Sequence, residues 1–216
     1  MKRIALAILV IVSLYGLTNA QVNSNIGNLS SVFNDNFGEL FVADIGIRAY
    51  DDNGTSYLGG SVSLLQKFSI GFEYGNFNGS DNTEMLLLSV KYKIQDNLIL
   101  GSFLNNETRR YGLFGIYSNQ LSNINYALSG GFDLNRSDYY FAIDNPIPLS
   151  ESIFLSNKIL ISSGEILADK ELNMLLVSTG AGYTFYDNLT LIGNFGFNLL
   201  KDFSYPSFQF NLSYKL

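Results

Sequence analysis

Phe208-Gln209-Phe210-Asn211-Leu212-Ser213-Tyr214-Lys215-Leu216 decides the fold. Apolar and polar residues alternate through it without a break. Phe208, Phe210, Leu212, Tyr214 and Leu216 share one face, and Gln209, Asn211, Ser213 and Lys215 share the other. A period of two over this length is a strand pattern, because successive side chains of a strand point to opposite sides of the sheet. The strand runs to a hydrophobic last residue, an uncommon ending for a water-soluble sheet.

That ending resembles the closing strand of bacterial outer-membrane β-barrels, which carry apolar side chains at every second position counted back from the C-terminus. Members of that class usually finish in Phe, where this chain has Leu216. The resemblance implies a barrel surrounded by outer-membrane lipid and lipopolysaccharide. It further implies that the barrel-assembly machinery reads the last strand.

The other terminus points to export. Lys2 and Arg3 precede an apolar run from Ile4 to Leu17, followed by Thr18-Asn19-Ala20-Gln21. A basic start, a short apolar stretch and a small residue before the cut describe a secretory signal peptide, residues 1–20, cleaved after Ala20. The apolar run falls short of the roughly 20 residues that a spanning helix needs. Residues 21–37 are polar and rich in Asn and Ser, and read as a periplasmic lead ahead of a barrel at 38–216.

Composition narrows the function. The chain has 13 Lys+Arg against 19 Asp+Glu, and it becomes more acidic still once Lys2 and Arg3 are removed. Nucleic-acid binding calls for a basic stripe, which is absent from this sequence. With Cys 0 and His 0 there is no disulfide framework, no thiol chemistry and no imidazole base or ligand.

The rest of the chain keeps the same parity. Phe41, Ala43, Ile45 and Ile47 oppose Asp44, Gly46 and Arg48, and Leu58, Val62 and Leu64 oppose Ser61 and Ser63. Phe68, Ile70, Phe72 and Tyr74 alternate with Ser69, Gly71, Glu73 and Gly75, and Leu86, Leu88, Val90 and Tyr92 with Ser89, Lys91 and Lys93. In the middle, Ile99 and Phe103 compete with Leu98, Leu100 and Leu104 for the apolar face. Residues 110–117 are apolar on both faces, which leaves their register weakly specified. Alternation returns with Ile124, Tyr126, Leu128 and Phe132 against Asn125, Ser129, Gly131 and Asp133. Tyr139, Phe141 and Ile143 form a short strand that is expected to stop at Asn145-Pro146-Ile147-Pro148, since proline cannot donate to a ladder. Two further segments, 153–161 and 175–185, and Leu189 to Asn198 lead to the closing strand.

The sum is an all-β, antiparallel up-and-down transmembrane β-barrel of twelve strands, with ten as the alternative. A soluble β-sandwich has the same period; the flush last strand, the aromatics at strand ends and the signal peptide favour the barrel. Connections near Gln66, Gln95, Asn119, Pro146 and Asp187 are short. Those near Asn53, Asn78, Asn106, Arg136, Ala168 and Asp202 are mostly more charged and in several cases longer. An even strand number with periplasmic termini makes the first set periplasmic turns and the second outer loops. One echo supports this: Tyr92-x-x-x-Asp96-Asn97-Leu98-x-Leu100 recurs as Tyr183-x-x-x-Asp187-Asn188-Leu189-x-Leu191. It places Tyr at the membrane boundary and Leu in the apolar band.

Catalysis finds no support. The Ser–His and Asp–His pairs of enzymatic outer-membrane barrels are impossible without His, and Ser156 beside Lys158 reads as polar wall. Asp51-Asp52-Asn53 and Asp81-Asn82-Glu84 have turn composition rather than calcium-loop spacing. The chain is therefore expected to be a non-enzymatic barrel in the bacterial outer membrane, without cofactor or metal. Its expected role is a passive or weakly selective pore for small hydrophilic solutes; a non-conducting structural or surface-interaction barrel is the alternative. The lumen-lining candidates are Asp44, Arg48, Glu73, Lys91, Lys93, Asp133, Lys158 and Asn194. Both charge signs occur among them, whereas an anion-selective pore is expected to show a one-sided basic ladder.

Overall fold

The computed structural model describes residues 40–216 apart from 51–52, 65–66, 79–82, 107–108, 122–123, 136, 164–173, 187 and 201–205. The expected signal peptide and polar lead lie outside the described residues. The chain forms β1 (Phe41–Tyr50), β2 (Asn53–Leu64), β3 (Phe68–Asn78), β4 (Thr83–Gln95), β5 (Leu98–Asn105) and β6 (Arg110–Leu121). It continues through β7 (Ile124–Asp133), β8 (Tyr139–Pro148), β9 (Ile153–Ser162), β10 (Met174–Phe185), β11 (Leu189–Asn198) and β12 (Pro206–Lys215). Each strand pairs antiparallel with its neighbours in sequence, and β1 pairs with β12, so the twelve strands close into a barrel.

Closure is a backbone event at the chain end. Leu40 N donates to Leu216 O at 2.9 Å, and Leu216 N donates to Phe41 O at 2.9 Å. Above that point the register runs unbroken from Val42↔Lys215 to Tyr50↔Ser207. A closed sheet leaves no edge, which is what allows strands to sit where no water can satisfy their N–H and C=O groups.

The alternation has the expected sense. Ile45, Ile47, Leu58, Ile70, Val90, Leu100, Leu113, Phe141, Leu191, Phe195, Phe210 and Leu212 point outward and are exposed. So extensive an apolar belt is suited to a bilayer and not to water. In the ambiguous middle, Leu100 and Leu104 face out while Ile99 and Phe103 are buried inside. In β6, Arg110, Gly112, Phe114 and Ile116 turn inward and Tyr111 and Leu113 outward. Both echoed hairpins are present: Tyr92 pairs with Leu100, Tyr183 pairs with Leu191, and all four face out.

The strand expected to stop before the prolines does not stop there. β8 runs through Pro146 and Pro148, which pair with Ser156 and Phe154 of β9, and the reversal falls at 149–152. Leu149 N donates to Ile153 O, so odd-numbered β8 residues bond toward β9 and the nitrogens of Pro146 and Pro148 face β7. Pairing between β7 and β8 ends at Ala127↔Asp144. In the continued register Asn125 would stand opposite Pro146, which has no N–H to offer it. The Asn145 side-chain amide donates to Asn125 O instead, at 2.7 Å. Two prolines are thus accommodated where the ladder is already open. The turn expected near Asn119 likewise falls later, because β6 extends to Leu121.

Candidate functional site: the barrel interior

The inward residues divide the wall into two unlike halves. On β11, β12, β2 and β3 they are mostly hydroxyl and amide side chains: Thr190, Asn194 and Asn198, then Ser207, Gln209, Asn211 and Ser213, then Ser61, Ser63 and Ser69, with Ile192 and Glu73 as exceptions and Val42 of β1 between β12 and β2. From β4 round to β10 large apolar residues predominate, interrupted by polar and charged ones such as Lys91, Arg110, Asp133, Asp144 and Lys158. Leu87, Ile99, Phe103, Phe114, Ile116, Tyr140, Ala142, Leu160 and Leu176 form one contiguous buried cluster. Outward apolar residues face lipid, so this second apolar layer is a property of the lumen itself.

Inward rings lie against the wall because a glycine on the adjacent strand makes room for each. A Cβ at Gly112 would sit 2.5 Å from the Phe103 ring, and one at Gly101 would sit 2.4 Å from that of Phe114. At Gly182 a Cβ would come within 2.0 Å of the Phe154 ring. Phe114 and Tyr140 meet over Gly131, where an added Cβ would be 2.9 Å and 2.6 Å from them. Each contact is far inside van der Waals separation, so the rings occupy the volume that any larger side chain would need. On the polar half Asn194 does the same over Gly180.

Charged side chains sit within this wall. Glu73, Lys91 and Asp133 have 0% exposure. Lys158 Nζ lies 3.7 Å from Asp144 Oδ1, and the two residues are register partners across β9 and β8. Toward the end carrying the longer connections, the Arg110 guanidinium hydrogen-bonds Asp138 and lies 3.6 Å from Asp133 Oδ2. Asp133 Oδ1 also accepts from Asn135 N at 2.6 Å. Arg110 therefore ties the start of β6 to the end of β7 and to the connection after it. Residues in the left-handed region flank that point, Arg109 at φ 53° and Ser137 at φ 62°.

Of the candidates, Glu73, Lys91, Asp133, Lys158 and Asn194 point inward and are buried. Lys93 lies at a mouth, where its amine is 3.2 Å from a carboxylate oxygen of the exposed Asp96 in the β4–β5 turn. Asp44 and Arg48 lie on β1, but their side chains are outside the described set. The structure brings Lys158 together with Asp144, and Asp133 with Arg110 and Asp138, three partners absent from the candidates. Asp144 was detectable, since it shares parity with the inward face opposite Ile143. Arg110 was not, because both faces of β6 are apolar.

No protein-family model matches the sequence, and no curated protein matches it. Solved structures do match in fold. The KdgM porin in complex with disordered oligogalacturonate aligns over 81% of this chain and 99% of its own, with TM-score 0.61 at 12% identity. The NanC porin aligns over 82% and 100%, with TM-score 0.58 at 14% identity. Omp33 of Acinetobacter baumannii aligns over 82% and 98%, with TM-score 0.52 at 6% identity. The chain has the fold of these outer-membrane barrels.

Proposed function

We propose that this protein is a non-enzymatic outer-membrane barrel whose interior forms a narrow, weakly selective pore for small hydrophilic solutes. The observation that carries the reading is the concentration of hydroxyl and amide side chains along β11 and β12 and, on the other side of β1, along β2 and β3. A solute that sheds part of its hydration can exchange hydrogen bonds with Thr190, Asn194, Gln209, Asn211 and Ser213 in turn. The half facing that strip is dominated by large apolar side chains, and charges within it are tied to one another, as Arg110 is to Asp133 and Lys158 to Asp144, which favours passage along the strip. The likeness in fold to porins supports the same reading. Paired charges of both signs support weak rather than strong selectivity, since Arg110 and Lys158 are engaged by carboxylates. The short connections at the end holding both barrel termini fit a periplasmic orientation for that end, and the longer ones an outer orientation.

A closed barrel is favoured by one specific observation: Glu73, Lys91 and Asp133 are fully buried, where a broad water-filled channel would wet them. Single-channel recording in planar bilayers separates the two readings. Small, discrete, weakly ion-selective steps are expected. A purified, folded barrel that gives no steps across a wide voltage range would refute the pore.

A further inference from the structure

The lipid-facing belt has a polar interruption at mid-height. In β9 the outward residues are Ile153, Leu155, Asn157, Ile159 and Ile161, with Asn157 in the middle. In β10 they include Leu175, Val177, Thr179, Ala181 and Tyr183, and Thr179 pairs in register with Asn157. Asn145 continues the row on β8, where it pairs with Asn157. The three residues are linked: Thr179 Oγ1 donates to Asn157 Oδ1 at 2.8 Å, and Asn157 Nδ2 donates to the backbone carbonyl of Asn145 at 3.4 Å. Asn145 Nδ2 donates in turn to Asn125 O at 2.7 Å.

We infer that this ladder is the contact through which two copies of the chain associate side by side in the membrane. The inference rests on the membrane-spanning reading of the barrel. Two capacities remain at the end of the row after the internal bonds are made. Asn157 retains one amide N–H, and Thr179 retains lone pairs on an exposed hydroxyl. An acyl chain can satisfy neither, and polar groups at this depth are costly unless protein partners meet them. A donor and an acceptor on adjacent strands are self-complementary. A two-fold axis through the ladder sets Asn157 of each copy against Thr179 of the other, the requirement for an isologous contact.

The surrounding surface suits a second barrel. Ile143, Leu155, Ile159 and Val177 are only half-exposed, whereas Ile45, Ile47 and Leu58 on β1 and β2 are more than 50% exposed. Immediately around the ladder the β8–β10 face thus protrudes less than at Phe141, Ile153, Ile161 and Tyr183, which are 38–42% exposed. Ala181 next to Thr179 keeps it low, so two backbones can approach closely, as small residues permit in membrane contacts.

The chain contains no Cys, so one introduced thiol reports on the contact. The full-length protein carrying Ala181→Cys is reconstituted in phosphatidylcholine vesicles and oxidised. A disulfide-linked dimer is expected, whereas Val90→Cys, on β4 across the barrel, is expected to give almost none. Adding Thr179→Val to the Ala181→Cys protein is expected to slow cross-linking about fivefold, since it removes a hydroxyl from a lipid-facing position. Heat-modifiable gel mobility and flotation with the vesicles establish folding and insertion for each variant. A barrel that floats yet cross-links no faster at 181 than at 90, or is indifferent to Thr179→Val, overturns the dimer and leaves the barrel reading intact. A chain that does not float overturns both.

Discussion

Asp144 and Lys158 stand opposite each other on β8 and β9, carboxylate to amine at 3.7 Å, almost wholly buried inside the barrel. Removing one partner of such a pair leaves an uncompensated charge in a dry site, which costs about 3–5 kcal/mol. Lys158→Met is expected to lower the denaturant midpoint of the folded barrel in detergent by that measure. Asp144→Asn with Lys158→Met is expected to recover part of the loss, since no lone charge then remains. A single variant as stable as the parent would show that water or another group solvates the amine.

The rings lying over glycines yield a matched pair. Gly182→Ala sets a methyl group against the Phe154 ring, where a Cβ would fall 2.0 Å away, and the strand or the ring must move. Overfilling of this kind costs about 1–3 kcal/mol. Gly115→Ala adds its methyl on the outer face, 3.3 Å from Leu100 Cδ2. It is expected to change stability by under about 0.5 kcal/mol. The temperature at which the compact gel form converts to the extended one measures both, and equal shifts would contradict the placement of the Phe154 ring.

This pair also marks how far the sequence can be read. An outward strand face declares itself, because every second residue must be apolar where lipid is the solvent; Phe208, Phe210, Leu212 and Tyr214 are exposed as their alternation requires. The inward face is less constrained. Phe103 and Phe114 have the hydropathy of lipid-facing residues, and what makes them lumen residues is Gly112 and Gly101 on the partner strand, a non-local match. The same ambiguity hid Arg110. Asn157 and Thr179 break the outward pattern, and the reason lies in a hydrogen bond between strands.

Conduction along the polar strip makes a third prediction, from two neighbours that face opposite ways. Asn211 points into the barrel and Phe210 into the lipid belt. Asn211→Trp narrows the strip and is expected to lower single-channel conductance by roughly half or more, because pore radius limits hydrated-ion passage. Phe210→Trp is expected to leave conductance unchanged. Equal conductance in both variants would remove the strip from the path.

The open seam between β7 and β8 offers the sharpest test of the proline placement. Asn145 Nδ2 supplies Asn125 O with the donor that Pro146 lacks. Asn145→Leu keeps the bulk but withdraws that donor, leaving a carbonyl unsatisfied at a cost of about 1–3 kcal/mol. Pro146→Ala alone is expected to matter little, since the amide already occupies its partner. Combined with Asn145→Leu, it restores a backbone N–H opposite Asn125, and the double variant is expected to be more stable than Asn145→Leu alone. Denaturant midpoints of the four proteins form a double-mutant cycle. Strictly additive effects would mean that the Asn145 amide and the missing proline N–H do not serve the same carbonyl.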